Sequence, residues 1–306
     1  MTVLESRINS QDEIFRANRD GMLAAVAALR EVESKVRGSE EKARAKFHKR
    51  KQMLPRERLH LLLDRGSPFL ELSTLCGYKM HDDRDGSLAG GNMIAGIGYV
   101  EGVRCLIVAS NSAIKGGTMT PWGVQKTLRL QEIALQQKLP VVSMIESGGA
   151  NLMYQAELFI PGGRTFANQA RLSAAGIPQV TVVHGSSTAG GAYMPGLSDD
   201  VVMIRKQAKV FLAGPPLLLA ATGEVAIDED LGGAEMHTQL AGTAEFLAEN
   251  DADGIRMARD IVRSLNWNAD KPAVPRLPVR APLYDIEEVC GVVSADYRKP
   301  FDPREV

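Results

Sequence analysis

The chain has 306 residues, 44% of them hydrophobic and 24% charged, a composition typical of a globular protein with ample material for a core. Its 36 basic and 37 acidic residues give a formal net charge of −1, which argues against nucleic-acid binding or docking on an anionic membrane. The polar N-terminus does not resemble a secretory signal, no apolar run predicts a transmembrane helix, and three widely spaced cysteines fit a reducing compartment. We therefore expect a cytoplasmic protein.

The N-terminal region predicts helices. Residues 11–36 place apolar side chains at helical spacing. Residues 54–68 predict a second helix, because Pro55 suits the first helical turn and Gly66 suits a helix stop. We therefore predict a helical arm over residues 1–66 that packs on the segment after it.

Beyond residue 92, short apolar runs alternate with helical patterns. This alternation predicts a layered α/β core with parallel strands, which we place at residues 67–267. The predicted strands cover residues 93–100, 104–110, 140–146, 179–183, 201–204 and 209–214, and the first two are separated by a predicted turn at Glu101-Gly102. The predicted helices cover residues 121–139, 164–176, 190–197, 215–223 and 251–265, and residues 153–164 are expected to form a loop. After Trp267 the sequence is rich in proline (Pro272, Pro275, Pro278, Pro282), which predicts a linker followed by a short tail.

Two predicted strands end in the same Gly-Gly-Ala sequence, at 148–150 and at 190–192. Glycine leaves backbone N–H groups unobstructed, and amides at a helix start favour negative charge. Tight strand–helix packing is the alternative role for these glycines. Because no side-chain acid or base accompanies them, the sequence indicates formation of an enolate from a thioester, with the base supplied by another molecule. Each amide donor would stabilise such an enolate by about 3–4 kcal/mol.

A second chemistry is also open. Residues 185–189, GSSTA, nearly match the nucleophile elbow of serine hydrolases, with Ser187 at the centre. A catalytic triad would need His237 and an acid such as Asp228 close by. A thioester hydrolase is therefore an alternative function. The histidines lack the spacing of metal ligands, so no metal site is predicted.

Seven motifs follow one another along the chain: LPRERLHLLLDRGSPFLEL, GIGYVEG, NSAIKGGT, ESGGANL, STAGGAYMPGLSDDVVMIRKQAKVFLAGPP, ATGE and DLGGAEMH. In this order they resemble the carboxyltransferase β subunits of biotin-dependent acyl-CoA carboxylases. EKARA and FLAGPPLLLAATGE make the likeness strongest to the methylcrotonyl-CoA and geranyl-CoA branch. The resemblance covers about residues 35–306.

The resemblance implies an α/β fold, namely a crotonase-like ββα superhelix with an N-terminal helical arm. It implies a ligase or transferase that moves CO2 from carboxybiotin to the enolate of an acyl-CoA, such as methylcrotonyl-CoA, with acetyl- and propionyl-CoA as further possibilities. Biotin would be carried by a biotin carboxylase and carrier α subunit. A C-terminal carboxyltransferase domain of another subunit would supply the biotin side of the site, within a homo-oligomer. Residues 268–306 would then form a linker and the start of the junction to such a domain.

The resemblance also assigns roles to individual residues. The N–H groups of Gly190 and Gly191 would donate to the acyl thioester oxygen, and Lys115 would meet a CoA phosphate. The remaining residues assigned to the CoA or acyl channel are Gly116, Gly117, Gly148, Gly149, Ala150 and Ala192. A non-catalytic acyl-CoA-binding or assembly domain is the other alternative.

Overall fold

A computed structural model describes residues 6–267 and 278–306 of the chain. The described residues fall into two compact units, one of residues 6–35 with 278–306 and the other of residues 36–267. Pro272 and Pro275 of the predicted linker lie outside the described residues.

The smaller unit contains most of helix α1 (Glu13–Arg37), close to its predicted position at 11–36. Phe15 of α1 is buried, and a Cβ on Gly291 would overlap its ring. Asn18 Nδ2 donates to the carbonyl oxygen of Gly291 over 3.3 Å. The smaller unit is therefore held together by α1 and residues near the end of the chain.

The larger unit begins with two short helices, α2 (Arg44–Lys49) and α3 (Pro55–Leu62). Pro55 opens α3 as predicted, and the Glu57 carboxylate accepts a hydrogen bond of 2.8 Å from the Leu54 amide in the first turn. Leu59 and Leu62 are buried in the main core. This packing groups α3 with the core, whereas the sequence led us to place the boundary of the arm after residue 66.

An eight-stranded sheet crosses the larger unit in the order β1-β2-β3-β4-β5-β6-β8, with β7 paired to the outer end of β5. Strands β1 to β3 are antiparallel, and all pairs from β3 onward are parallel. The strands are β1 (Leu70–Glu71), β2 (Met93–Val100), β3 (Val103–Ser110), β4 (Val141–Ser147), β5 (Gln179–Thr188), β6 (Asp200–Ile204), β7 (Lys209–Phe211) and β8 (Phe246–Ala248).

The predicted turn at Glu101-Gly102 is confirmed, whereas the predicted parallel core did not include the antiparallel part of the sheet. Glu101 and Gly102 join β2 to β3, with φ angles of 50° and 74°. Two consecutive residues with positive φ make a tight hairpin, which forces the strands on either side to run antiparallel. The expectation of parallel strands is correct only from β3 onward.

Helices cover the sheet and were mostly predicted from periodicity. Two of the longer ones begin with a capping residue: the Thr120 side chain accepts from the Gly123 amide and the Asn250 side chain from the Asp253 amide. None of the helices in the described ranges has the length and apolar character needed to cross a bilayer. The helices are α4 (Pro121–Gln137), α5 (Gln155–Ala174), α6 (Tyr193–Gly196), α7 (Pro215–Thr222), α8 (Asp228–Gly232) and α9 (Asp251–Ser264), followed by α10 (Val289–Val292) in the smaller unit.

The loop predicted at residues 153–164 is wrong for most of its length, because α5 already begins at Gln155. Pro161 lies inside this helix, where it removes one backbone hydrogen bond. Leu158 is buried in an apolar cluster with Val124 and Leu128 of α4. Burial of this apolar face outweighs the poor helix propensity of the Pro-Gly-Gly sequence.

Candidate active site

Three glycine-rich turns lie at the same edge of the sheet. They follow β3, β4 and β5, which are neighbours in the sheet and parallel. Since parallel strands end at one edge, their carboxyl-end turns meet in space. The turns are residues 115–117, 148–150 and 189–192. The structure therefore brings together all three segments that the sequence singled out.

Backbone hydrogen bonds tie the first two turns to each other. The Gly148 amide donates to the Gly116 carbonyl oxygen over 3.1 Å, and the Met119 amide donates to the Gly149 carbonyl oxygen over 2.8 Å. Gly116 and Gly148 are exposed, and a Cβ on Gly116 would meet no atom within 4 Å. The outer face of these turns is therefore open to a ligand that approaches the backbone.

Gly117 shows why the first turn requires glycine. Its φ is 70°, in the left-handed region, and a Cβ there would overlap the carbonyl oxygen of Glu146. Its own carbonyl oxygen accepts a hydrogen bond of 3.2 Å from Ser147 Oγ. The first turn thus rests directly on the end of β4.

The third turn is a short 3-10 helix, Ala189–Ala192, that continues into α6. Ser187 Oγ donates to the Gly191 carbonyl oxygen over 2.9 Å and so links the end of β5 to the turn. The first amides of a helix have no acceptor within it, and the Gly190 amide is among these. Gly190 is partly exposed, whereas Gly191 and Ala192 are buried.

A cavity of about 680 Å³, counting space open to solvent, lies beside these turns. Gly117, Ser147 and Gly191 line it, together with residues of α4 and α5. Most of the exposed lining is apolar, which suits a hydrocarbon chain. The apolar lining residues are Met93, Val108, Met119, Ile145, Phe166 and Met194.

Lys115, in the first turn, is paired with an acidic neighbour. Its ammonium forms an ion pair of 2.7 Å with Asp82, and Tyr154 Oη donates to the other oxygen of that carboxylate over 2.7 Å. The hydrogen bond from Lys115, with that from Tyr154, lowers the pKa of Asp82. A CoA phosphate would have to replace Asp82 as the partner of Lys115.

The two alanines of the predicted channel take part in packing. Ala150 is half-buried beside the apolar cluster of α4 and α5 and bridges to Met119. Ala192 is 8% exposed. Both residues lie in the turns, and their role in binding stays a prediction.

The hydrolase triad considered as an alternative does not form, and Ser187 bonds to the backbone instead. Ser187 is fully buried, and its hydroxyl donates a hydrogen bond to the Gly191 carbonyl oxygen. His237 contacts Thr243 and the Val210 carbonyl oxygen, and Asp228 pairs with Lys209. A nucleophile needs a base within hydrogen-bond reach, but neither His237 nor Asp228 is bonded to Ser187.

Lys126 supports the site from within the core, and we did not identify it from the sequence. The residue is 4% exposed, and its ammonium donates to the carbonyl oxygens of Ser73, Gly90 and Met93 over 3.0 to 3.3 Å. Burial lowers the pKa of Lys126 to about 8. These bonds hold the segment that brings Met93 to the cavity wall. The sequence did contain an indication: Lys126 stands on an apolar face of a predicted helix, and a buried lysine needs hydrogen-bond partners.

Metal chemistry has no support from clustered ligands: in residues 6–267 and 278–306, no group of three His, Cys, Asp or Glu side chains could hold a metal ion.

Known proteins resemble this chain over nearly its whole length. The carboxyl transferase domain family matches residues 46–306. A probable biotin-dependent acyl-coenzyme A carboxylase beta2 subunit of Mycobacterium tuberculosis is 48% identical over 100% of this chain and 56% of its own length. A probable mitochondrial methylcrotonoyl-CoA carboxylase beta chain of Drosophila melanogaster is 42% identical over 99% of this chain. The chain thus spans 56% of the length of both relatives.

Solved structures share the fold. The geranyl-CoA carboxylase beta subunit of P. aeruginosa matches with a TM-score of 0.89 and 62% identity, over 98% of this chain and 55% of that one. The transcarboxylase 12S structure with methylmalonyl-coenzyme A and methylmalonic acid bound matches with a TM-score of 0.71 and 27% identity, over 79% of this chain and 47% of that one. The predicted fold, a crotonase-like α/β superhelix with an N-terminal helix, is confirmed.

Proposed function

The chain belongs to the carboxyl transferase domain family, and on this premise we propose that it performs the carboxyltransferase half-reaction of a biotin-dependent acyl-CoA carboxylase. The observation that carries the proposal is the meeting of three glycine turns beside an apolar cavity. Such a site offers backbone donors for a thioester oxygen and space for its acyl chain. The names of the relatives support the same reaction.

The amides of Gly190 and Gly191 would donate to the thioester oxygen of the acyl-CoA. Negative charge develops on this oxygen as the enolate forms, so these donors bind the transition state more strongly than the ground state. The exposed backbone at Gly116 and Gly148 would leave room for the CoA arm. Lys115 would exchange Asp82 for a CoA phosphate.

Carboxybiotin on a partner subunit would supply both CO2 and the base that removes the acidic proton, which is the γ-proton in an α,β-unsaturated thioester such as methylcrotonyl-CoA and the α-proton in acetyl- or propionyl-CoA. This chain would contribute the oxyanion donors, the acyl cavity and the exclusion of water from the enolate. No acid or base from this chain is required by the scheme, which agrees with the hydroxyl and amide groups at the turns.

The apolar cavity supports a branched acyl group with several carbons in preference to acetyl. Methylcrotonyl-CoA and geranyl-CoA, the substrates named for two relatives, are therefore the first substrates to assay. Acetyl-CoA and propionyl-CoA are the comparison substrates.

Another subunit would complete the site. Helix α7 has no buried residue, and Leu217 and Leu219 are 60% and 50% exposed. A related C-terminal carboxyltransferase domain from another β subunit would cover such a surface, with the biotin carboxylase and carrier on an α subunit. Residues 268–306 would precede the junction to a C-terminal domain of the same subunit, and the assembly would be a cytoplasmic homo-oligomer.

The substitution Gly190→Ala tests the oxyanion role. A Cβ at this position would meet only Phe166 Cζ, at 3.6 Å, so the fold should tolerate it. The methyl group would instead keep the thioester oxygen away from the amides. We expect kcat/KM for acyl-CoA to fall at least about tenfold in the assembled carboxylase, measured by incorporation of labelled bicarbonate.

Gly163→Ala is the matched control, because its added methyl group would meet nothing within 4 Å. It should retain wild-type kcat/KM. Near-normal carboxylation by Gly190→Ala would contradict the oxyanion role. Acyl-CoA binding by calorimetry without any carboxylation by the wild-type complex would favour a non-catalytic binding domain.

A further inference from the structure

The carboxylate of Glu146 contacts residues that lead into the first and third glycine turns, and its backbone leads into the second. Glu146 lies on β4 immediately before Ser147, where the second turn begins. Ser112, which precedes the first turn, donates from Oγ to Glu146 Oε2 over 2.8 Å. On β5, which leads to the third turn, a Cβ on Gly185 would lie 2.7 Å from Glu146 Cδ. The three turns therefore share one support.

Arg58 of α3 forms an ion pair with this carboxylate. Its Nη1 donates to Glu146 Oε2 over 3.1 Å, and its Nε donates to Asp251 Oδ2 over 3.2 Å. The side chains of Arg58 and Asp251 are each 2% exposed. The guanidinium thus bridges two carboxylates, one at the end of β4 and one at the start of α9. The Met53 amide adds a hydrogen bond of 2.7 Å to Asp251.

His184 ties β5 to the same cluster. Its Nδ1 lies 2.8 Å from Asp251 Oδ1, and the imidazole is completely buried. Burial, with the nearby positive charge of Arg58, lowers the pKa of His184, so the ring is neutral and donates to the carboxylate. Burial acts to raise the pKa of Asp251, but the hydrogen bond from His184 and the charge of Arg58 lower it overall.

Stability alone gives a poor reason for such a cluster. Desolvating an ion pair costs several kcal/mol per ion, and apolar residues of similar volume are often as stable. What the ions provide is directional geometry, because each bond fixes a distance between two elements. Here the bonds link α3, α9 and the ends of β4 and β5. A displacement of about 1 Å at an active site can cost about 100-fold in rate.

We propose that Glu146, clamped by Arg58, is a positioning residue that holds the three glycine turns at the spacing needed for the carboxyltransferase reaction. Glu146 acts through the backbone of the turns and does not touch the substrate. This inference rests on the proposed function. It predicts an effect on kcat with little effect on KM for acyl-CoA, because the oxyanion interaction strengthens only in the transition state.

The test uses the assembled carboxylase. Glu146→Ala removes the acceptor of both Arg58 and Ser112, and we expect kcat to fall at least about tenfold while KM for acyl-CoA stays within about threefold. Glu146→Gln keeps an oxygen that can accept both bonds, and should restore kcat to within about threefold of wild type. Arg58→Lys cannot bridge Asp251 and Glu146 together, and should lower kcat about tenfold.

Glu71→Ala is the matched control. Glu71 is an ion-pair partner of Arg56 on the same helix α3, but it lies on the edge strand β1. It should lower the thermal midpoint as Glu146→Ala does and leave kcat unchanged. If Glu146→Ala does not fold, Arg58→Lys and Glu146→Gln decide the question.

Two results would overturn the positioning role. One is a kcat above half the wild-type value for Glu146→Ala, or for Arg58→Lys where the alanine variant does not fold. The other is a loss of kcat in Glu146→Gln as large as that in Glu146→Ala. The effect would then come from the negative charge of Glu146 and not from its hydrogen bonds. Failure of the proposed function is distinguishable, because the wild-type complex would then carboxylate no acyl-CoA.

Discussion

Glu40 is a carboxylic acid buried in the larger unit, 6% exposed, in the helical turn Ser39–Ala43. Burial raises its pKa to about 7, although the guanidinium and the backbone amide of Arg56 act in the opposite direction. Between pH 4.5 and 7 the folded protein therefore holds this proton more tightly than the unfolded chain does. The contribution of Glu40 to stability consequently falls as pH rises through that window.

Replacing this group with a neutral one should stabilise the protein at higher pH. Glu40→Gln keeps an oxygen for the Arg56 amide and cannot ionise. We expect its free energy of unfolding to exceed that of the wild type by about 1–3 kcal/mol at pH 8 and to equal it near pH 4.5. Urea denaturation at the two pH values measures this. A difference that does not change with pH would contradict the raised pKa.

Single residues of the site differ in how far the sequence could reveal them. The glycine pairs were found because each is a contiguous motif after an apolar strand. Arg58 was not assigned, since its partners Glu146 and Asp251 are 88 and 193 residues away in sequence. A charge in an apolar stretch indicates that a buried partner exists, but only the fold identifies it.

Helix α5 shows the same limit at the scale of an element. Its C-terminal half was predicted from periodicity, whereas its first turns, which contain Pro161, were taken for a loop. Propensity is a weak local effect, and contacts of Leu158 with α4 override it. Helices α1, α4 and α9 were predicted well, because each has a continuous amphipathic pattern and lacks an internal proline.

Gly163 should be a stabilising site within α5. It is exposed, its backbone is helical, and an added Cβ would meet nothing within 4 Å. We expect Gly163→Ala to raise the free energy of unfolding by about 0.5–1 kcal/mol, because alanine loses less backbone entropy on folding. Thermal or urea denaturation measures the gain.

Gly176, just beyond the end of α5, provides the opposite case. A Cβ there also meets nothing within 4 Å, but its φ is 69°. Gly176→Ala should therefore destabilise the protein by about 1 kcal/mol, since left-handed backbone is costly for alanine. Equal effects of the two substitutions would mean that backbone conformation does not explain either.

At the scale of the whole molecule, the larger unit contains a complete core of its own. Its main apolar cluster is drawn from residues between Leu59 and Val262. We expect a fragment of residues 36–269 to unfold in one cooperative thermal transition, with far-UV circular dichroism typical of an α/β protein. It should also bind acyl-CoA, because all three turns lie within it.

A fragment of residues 67–267, the core as the sequence led us to place it, is the comparison. It lacks α3, and therefore Leu59 and Leu62, whose loss would cost about 2–5 kcal/mol each. We expect this fragment to bind hydrophobic dye and to unfold without a sharp transition. Equal stability of the two fragments would contradict the assignment of α3 to the core.

The cavity beside the turns is lined by the ends of strands and by the side chains of two helices. Backbone at the ends of β4 and β5 borders it on one side, and side chains such as Gln131 and Phe166 of two helices border it on the other. Substitutions on the helices can thus alter the length or branching of the chain that fits, while the amides stay in place. Under the proposed function, selectivity for the acyl chain and stabilisation of the enolate would therefore reside in separate stretches of polypeptide.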